Sequence, residues 1–215
     1  MSKESSKRNC IFYIVRHGET EWNIKKIIQG QGDSPLTLEG KNQARRLAEK
    51  FKNIKFDAIF SSDLLRARKT AEIVALEHNL IVKTKRLFRE RQFGKFQGKK
   101  VTEFRKELKE FLEKREKMCK KERFCTKLHD DIESDEEMMS RFIRILKEIA
   151  VAYPGKKVLV VTHGGIMRVF LVHLGFAGYQ ELPRGAINNM GYIKFESDGI
   201  EFSVKEVVGV KKRKF

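Results

Sequence analysis

The segment Arg16-His17-Gly18 combines three residue types that suit the handling of a phosphate group. Arginine can bind phosphate through its planar guanidinium, imidazole can act as a nucleophile, and glycine lets the backbone approach a ligand closely. The segment follows the apolar run 11–15, which is typical of a buried strand. Because open α/β sheets bind ligands at the carboxyl ends of their strands, His17 is a candidate nucleophile. Taken alone, the tripeptide favours a structural, hydrogen-bonded imidazole, and the rest of the chain reverses that preference.

Three further residues suited to phosphate chemistry follow three other predicted strands. Arg66 lies one turn into the helix after the second strand, Glu90 follows the third strand, and His163 caps the helix after the fourth. The free N–H groups and the positive dipole end of that last helix make His163 and Gly164 part of an anion site. Arg68 competes with Arg66, but two positions on one helix point about 200° apart, so only one of them can face the site.

These side chains together fit phosphoryl transfer through a phosphohistidine. That reaction needs a neutral imidazole in line with phosphorus, cations on the equatorial oxygens and an acid that protonates the departing alkoxide. A free histidine has a pKa of ~6.5, so a useful neutral fraction exists near pH 7. Two arginines and a second imidazole can offset the charge that metal ions would otherwise cover. Since no Asp, Glu or His cluster has metal-site spacing, we expect a site without a metal or cofactor.

The elements that must position these residues alternate between strand and helix patterns, which predicts βαβ units and a mostly parallel sheet. The expected architecture is a three-layer α/β/α sandwich, closed by an antiparallel hairpin around Ser197-Asp198-Gly199. Thr37 and Ser134 are predicted helix caps, and the basic residues 211–214 are expected to form a frayed tail. The predicted strands are 11–15, 56–60, 80–82, 157–161, 192–195 and 201–208, and the predicted helices are 38–51, one through about His78, one from Ser134 and one through about Leu174.

The segment from Lys99 to Lys127 differs from the rest of the chain in its charge. It holds 12 Lys and Arg residues against six Glu residues, and apolar side chains recur in it at helical spacing. We expect a helical flap at about 99–127, inserted into a single domain of residues 1–215 and lying beside the active site. A solvated helix face and a substrate-steering role are equally compatible with the charge. The apolar positions are Val101, Phe104, Leu108, Phe111 and Leu112.

The composition limits the class of protein. A chain of 215 residues with 40% apolar residues suits one domain with a substantial core. No apolar run approaches the ~20 residues of a membrane span, and the polar segment 1–8 does not resemble a signal peptide. Three cysteines without metal-ligand spacing are expected to be free thiols, which favours a soluble, cytoplasmic protein. The net charge of +17 would attract nucleic acid, anionic lipid or phosphorylated metabolites, and charge alone does not choose among them.

The motifs and their order resemble the histidine phosphatase superfamily, which has the phosphoglycerate mutase-like fold. The resemblance runs over nearly the full length of the chain. The order and spacing of the motifs are together more specific than any single one. The matching segments are Arg16-His17-Gly18-Glu19-Thr20, Trp22-Asn23, Leu36-Thr37 with Gly40, Ser61 to Ala67 with Thr70-Ala71, Arg89-Glu90 and Thr162-His163-Gly164-Gly165.

This resemblance implies roles for individual residues. His17 would be the nucleophile that becomes phosphorylated, and Glu90 would protonate the leaving group and then activate water. The segments 27–32 and 87–98 are most similar to the fructose-2,6-bisphosphatase-type phosphatases. The implied phosphoryl-binding residues are Arg16, Asn23, Arg66 and His163, and the further candidate substrate contacts are Gln29, Gly30, Arg89, Arg91 and Gly164.

Three functions stay open, with one favoured. The favoured function is a metal-independent phosphomonoester hydrolase that acts on a small phosphorylated metabolite of the sugar bisphosphate or phosphoglycerate type. Cofactor-dependent mutases of the family carry an insert with a Trp and an Arg-Arg pair, whereas Trp22 is the only tryptophan here. A catalytically silent protein that binds through its basic surface is the third option, and the full set of catalytic groups opposes it. We expect neither nucleic acid nor a membrane as partner; the oligomeric state stays open, with a dimer among the options.

Overall fold

A computed structural model describes residues 9–213, so the predictions for segment 1–8 and for Lys214 lie outside it. The strands are β1 (Cys10–Arg16), β2 (Ala58–Ser61), β3 (Val82–Thr84), β4 (Lys157–Thr162), β5 (Ile187–Ser197) and β6 (Phe202–Val210). The helices are α1 (Glu21–Ile24), α2 (Leu38–Phe51), α3 (Leu65–Leu76), α4 (Val101–Glu107), α5 (Lys109–Lys117), α6 (Lys120–Cys125), α7 (Asp135–Ala152) and α8 (Gly164–His173).

The strands form one six-stranded sheet in the order β3-β2-β4-β1-β5-β6. The first four strands along the chain are parallel to one another, while β5 pairs antiparallel with β1 and β6 antiparallel with β5. The predicted mostly parallel sheet with a closing antiparallel hairpin is therefore confirmed. The carboxyl ends of β1, β2 and β4 meet at one edge, and this edge carries the candidate site.

Helices cover both faces of the sheet, which explains why its central strands are apolar on both sides. Phe12 and Ile14 of β1 pack with the buried faces of α7 and α8. Tyr13 and Val15 point the other way, into a second core with α2 and α3. The three-layer α/β/α arrangement is confirmed, and Met138, Phe142 and Ile145 of α7 lie in the first core.

Three predicted strands have clearly different bounds in the structure. The fifth strand was expected at 192–195, but β5 runs from Ile187 to Ser197, because Ile187 also pairs with Val210 of β6. The third strand was expected at 80–82, but β3 begins at Val82, because only Val82 to Thr84 pair with β2. Leu80 instead bonds through its amide to the Ala75 carbonyl, and the Ile81 side chain is 85% exposed. The second strand begins at Ala58 rather than at Phe56, whose ring is buried against Tyr13. Phe56 is apolar because its side chain is buried, although its backbone makes no strand pairing in the sheet.

Other helix and chain ends correct the predictions in smaller ways. Helix α3 ends at Leu76, two residues before the expected limit at His78. The predicted frayed tail is tied down as far as the structure describes it, because the amides of Lys211 and Arg213 donate to the carbonyls of Ala186 and Glu181. The three cysteines are free thiols. Within residues 9–213, no helix is both long and apolar enough to cross a membrane.

The start of α2 is packed closely against the Arg-His-Gly segment. Thr37 caps this helix, as predicted, by accepting a hydrogen bond from the Gly40 amide. A Cβ atom on Gly40 would lie 2.0 Å from the Glu19 carbonyl oxygen, and one on Gly18 would lie 2.5 Å from the Gly40 carbonyl oxygen. The two glycines therefore allow the backbone after β1 to rest directly on α2, which holds the loop of His17 in place.

The segment 99–127 contains three short helices, α4 to α6, rather than one long helix. Phe104 and Leu108 are buried in a small separate core with Phe96 and Ile132. Phe111, expected on the same apolar face, is 58% exposed. The chain breaks the helical path at Leu108, whose φ of −108° and ψ of 25° separate α4 from α5. Because of this break, α5 does not continue the apolar face of α4, and Phe111 lies outside the core.

Candidate active site

The parallel pairing of β1 with β4 brings the two motif histidines together. Arg16 is level with Thr162 in this pair, and the His17 amide donates to the Thr162 carbonyl at 2.9 Å. The rings of His17 and His163 lie edge to face with their centroids 5.3 Å apart. Their residues are 3% and 0% exposed. His163 occupies the N-cap position of α8, as predicted, and its side chain makes no capping hydrogen bond among the described residues.

The hydrogen bond of the His17 ring sets which nitrogen can react. Nδ1 lies 2.7 Å from the carbonyl oxygen of Gly18. A carbonyl can only accept, so we assign the proton of the neutral ring to Nδ1. Nε2 then carries a lone pair, which is the form that a nucleophile needs. Asn189 on β5 donates to the main-chain carbonyl of His17 at 2.9 Å and so supports the same loop.

Burial and nearby arginines keep both imidazoles neutral. Burial lowers the pKa of His17 well below its usual value, and the charges of Arg66 and Arg16 lower it further. The pKa of His163 is lowered for the same reasons, burial first and then Arg66. A neutral His17 is competent to attack phosphorus at and below neutral pH.

These shifts predict how stability depends on pH. Because each folded-state pKa lies below the unfolded value of ~6.5, the unfolded chain binds protons more readily, and the free energy of unfolding falls as the pH drops below about 6.5. The loss is about 1.4 kcal/mol per pH unit for each histidine. We expect urea titrations at pH 7.5 and 5.5 to show a smaller loss for His163→Gln than for the unmodified chain. Equal losses would contradict the assignment of a neutral, buried His163.

Two arginines, Arg66 buried and Arg16 half-buried, provide positive charge beside His17. Arg66 is 1% exposed and donates to the carbonyls of Gly30 and Gly32, both at 2.6 Å, whereas Arg68 is exposed and pairs with Glu72. Burial lowers the pKa of Arg66 to about 10, which leaves it charged at neutral pH. Arg16 donates to the carbonyl of Ile187 at 2.5 Å. The buried nitrogens in this group without a hydrogen-bond partner among the described residues are Nε of Arg16, Nε of Arg66 and both ring nitrogens of His163.

Glu90 lies at the first turn of α8, where helix N–H groups are free. Its carboxylate accepts from the Gly165 amide at 2.7 Å and from the Arg91 amide at 2.8 Å. A Cβ atom on Gly165 would lie 2.5 Å from Oε1 of Glu90, and one on Gly164 would lie 3.1 Å from Nε of Arg16. The glycine pair therefore lets an acid and a cation approach the helix end.

The loop that carries Glu90 is held by Arg141 of α7, which the sequence analysis did not single out. The guanidinium of Arg141 donates to the carbonyls of Leu87, Arg89 and Glu90 at 2.8, 2.7 and 3.1 Å. It also pairs with the Glu133 carboxylate at 2.7 Å. An arginine on the polar side of an amphipathic helix carries no sequence signal for this role.

These side chains border a pocket of about 340 Å³. The pocket brings together most of the predicted site residues, with His163 buried behind them against the His17 ring. Phe104 and Arg105 of the flap complete its wall, as does Arg184, and none of these three was singled out as a site residue. The predicted residues that line it are Arg16, His17, Asn23, Gln29, Gly30, Arg66, Glu90 and Gly164.

Two predicted substrate contacts lie elsewhere. Arg89 forms a two-pronged ion pair with Asp63, with its Nε and Nη2 atoms 2.8 and 2.6 Å from the carboxylate oxygens, and does not border the pocket. The guanidinium of Arg89 is therefore occupied by Asp63 and does not face the pocket. Arg91 borders a neighbouring cavity instead and pairs with the buried Asp135. Their position beside Glu90 in the sequence could not reveal these distant carboxylates.

Comparison with known proteins agrees with this fold. The model of the histidine phosphatase superfamily (branch 1) matches residues 12–208. The chain belongs to that superfamily, and the predicted phosphoglycerate mutase-like fold is confirmed. A special closeness to the fructose-2,6-bisphosphatase type stays a prediction.

Individual relatives span most of the chain. A Bacillus subtilis (strain 168) protein named uncharacterized phosphatase PhoE is 35% identical over 161 residues, which are 75% of each chain. Phosphoglycerate mutase-like protein 4 of Arabidopsis thaliana is 38% identical over 157 residues, 72% of this chain and 66% of that protein. The structure of YhfR from Bacillus stearothermophilus has a TM-score of 0.78 at 26% identity and covers 91% of this chain and 95% of its own.

Proposed function

We propose that this protein is a metal-independent phosphomonoester hydrolase that acts through a phosphohistidine on a small phosphorylated metabolite. The observation that carries the proposal is the state of His17. Its Nδ1–H is engaged by the Gly18 carbonyl, so the lone pair of Nε2 is available in a pocket that also holds Arg16 and Arg66. A neutral imidazole beside the buried Arg66 and the half-buried Arg16 suits attack on a phosphate ester.

In the first step, the Nε2 lone pair forms a bond to phosphorus while the bond from phosphorus to the ester oxygen breaks. The departing oxygen takes a proton from Glu90 and leaves as an alcohol. Arg16 and Arg66 offset the charge on the phosphoryl oxygens, and the neutral ring of the buried His163 can donate a hydrogen bond to one of them. The structure suits this role because nitrogens of all three side chains have no hydrogen-bond partner among the described residues.

In the second step, the Glu90 carboxylate takes a proton from water. The resulting oxygen nucleophile forms a bond to phosphorus, and the bond from phosphorus to Nε2 breaks. Inorganic phosphate leaves, and both His17 and the protonated Glu90 return to their starting states. One carboxyl group can serve both steps because each step returns it to the form that the other requires.

A mutase is the second candidate, because one relative over 72% of the chain is named a phosphoglycerate mutase-like protein. A hydrolase passes the phosphoryl group to water, whereas a mutase returns it to another hydroxyl of the bound molecule. The lone tryptophan, Trp22, and the absence of an Arg-Arg pair after Glu90 in the sequence favour the hydrolase.

The experiment that tests the proposal measures release of inorganic phosphate in the presence of a metal chelator. The substrates are sugar bisphosphates, phosphoglycerates, phosphoserine and nucleotides. We expect hydrolysis of at least one phosphomonoester without added metal. Exchange of phosphate between the two positions of phosphoglycerate, dependent on the bisphosphate and faster than hydrolysis, would establish the mutase instead. Activity confined to phosphodiesters would contradict both.

A further inference from the structure

A second cavity of about 160 Å³ adjoins the catalytic pocket. The two share a wall that includes Glu90, Gly165 and Arg184. Five arginine side chains border the second cavity, which we call the arginine pocket. They come from the loop after Glu90, from α5, α6 and α8, and from the loop before β5. The five are Arg91, Arg115, Arg123, Arg168 and Arg184.

One buried carboxylate serves two of these arginines. Asp135, the first residue of α7, pairs with Arg91 and lies 2.8 Å from Nη2 of Arg115. It also accepts a hydrogen bond from the Tyr179 hydroxyl at 2.6 Å. The two positive charges hold the pKa of Asp135 below its usual value against the opposing effect of burial. Asp135 is thus already saturated by Arg91, Arg115 and Tyr179.

The other three arginines have no carboxylate within ion-pair distance in the part of the chain that the structure describes. Arg168 is buried and donates only to carbonyls, those of Leu182 at 2.5 Å and Tyr179 at 3.4 Å. Arg123 stacks on the Tyr179 ring at 4.2 Å, and its buried Nε has no hydrogen-bond partner. Arg184 lies over the Phe104 ring at 5.2 Å.

Arg168 is buried, Arg123 is half-buried and Arg184 is exposed, so the uncompensated positive charge is most costly at Arg168. Apart from Glu90 on the shared wall, Asp135 is the only acidic residue among residues 9–213 that borders the arginine pocket. Burial and the charge of Arg123 lower the pKa of Arg168 to about 10, and burial and the charge of Arg115 lower that of Arg123. Guanidinium groups that lie close together are stabilised by a bound oxyanion, which several of them can bind at once.

We propose that the arginine pocket binds a second anionic group, a phosphate or a carboxylate, on the alcohol part of the substrate. The inference rests on the proposed function, in which Glu90 protonates the leaving oxygen. Since Glu90 stands on the shared wall, the rest of the alcohol extends past it toward Arg123, Arg168 and Arg184. The substrate class is then a phosphomonoester with a second negative charge a few bonds from the ester oxygen.

The test compares pairs of substrates that differ only in this second charge. Glycerol 3-phosphate and 3-phosphoglycerate differ by a carboxylate, and 3-hydroxypropyl phosphate and propane-1,3-diol bisphosphate differ by a phosphate. For the unmodified protein, we expect kcat/KM to be at least tenfold higher for the charged member of one pair. The pair that shows the preference identifies the group as carboxylate or phosphate.

The variants Arg123→Gln and Arg184→Gln each remove one unpaired charge. We expect each to lower the ratio of kcat/KM within the preferred pair by about tenfold or more. Arg144→Gln is the matched control, because Arg144 is exposed on α7 and pairs with Glu148 away from both pockets. It removes the same net charge and should keep the original ratio. Melting temperatures of all three variants check that they are folded.

The outcomes separate the two proposals. Hydrolysis of p-nitrophenyl phosphate with no preference inside either pair overturns the arginine pocket assignment and leaves the hydrolase intact. The assignment is also overturned if Arg123→Gln and Arg184→Gln lower kcat/KM equally for both members of a pair. The two arginines would then support the fold and would not bind the second charge. If the unmodified protein hydrolyses no monoester, the proposed function fails and the substrate assignment fails with it.

Discussion

Replacing His17 with alanine is expected to abolish turnover and covalent labelling by a phosphorylated substrate. The reason is that no other side chain in the pocket presents an unprotonated nitrogen to phosphorus, while the ring of His163 lies buried behind His17. Loss of the nucleophile in a covalent mechanism costs on the order of 10⁴ or more in kcat. The measurements are phosphate release and trapping of a phosphoenzyme with a radiolabelled substrate, with acid-labile, alkali-stable label as the signature of a phosphorylated imidazole.

The matched control for this variant is His78→Gln. His78 lies past the far end of α3 and packs against Phe56, so its loss leaves the site intact. We expect near-normal turnover and normal labelling. If His17→Ala kept the activity of the unmodified chain, or if the label were found on another residue, the nucleophile assignment would be wrong.

Replacing Glu90 with glutamine is expected to slow turnover of alkyl phosphates by about 10²- to 10⁴-fold, the usual range for a lost general acid or base. Glutamine has the same size and can still accept from the Gly165 amide, so the pocket keeps its shape. A p-nitrophenolate leaving group needs little protonation. Its first step should therefore survive, while the second step still lacks its base.

This difference predicts a distinct kinetic pattern. With p-nitrophenyl phosphate, Glu90→Gln should show a burst of one p-nitrophenol per site, then slow turnover and accumulated phosphohistidine. With an alkyl phosphate, no burst should appear. Glu148→Gln, on the exposed side of α7, is the control and should behave as the unmodified chain does. A uniform loss for both substrates without a phosphoenzyme would assign Glu90 to another role.

Much of this site was predictable because its signals are local. A buried strand followed by Arg16-His17-Gly18 places these residues at a sheet edge whatever the rest of the chain does. Thr37 and Ser134 cap α2 and α7 as predicted, because an N-cap depends only on the residue and the next turn. The helical repeat showed that only one of Arg66 and Arg68 can face the site, and the family motif selected Arg66. Register between neighbouring parallel strands then brought His17 and His163 together.

The bounds of short strands were less predictable, because apolar patterning reports burial and not ladder pairing. Phe56 and Ile81 show the two errors: the first is buried outside a strand, and the second is apolar and exposed. Phe111 is exposed because the helical path breaks at Leu108. No glycine or proline near Leu108 predicts this break from the sequence.

The sequence by itself determined which residue types stand at the sheet edge, since the proposed nucleophile, the proposed acid and the two arginines each follow a strand or open a helix. Only the tertiary structure decided which arginines are free to meet a ligand. Arg89 forms an ion pair with Asp63 and Arg91 forms one with Asp135, and these carboxylates lie 26 and 44 positions away along the chain. Arg123 and Arg184 come from a flap and a loop that share no motif with the catalytic residues. The physical reason is that an arginine's role depends on which carboxylates lie within reach, and long-range packing sets those distances.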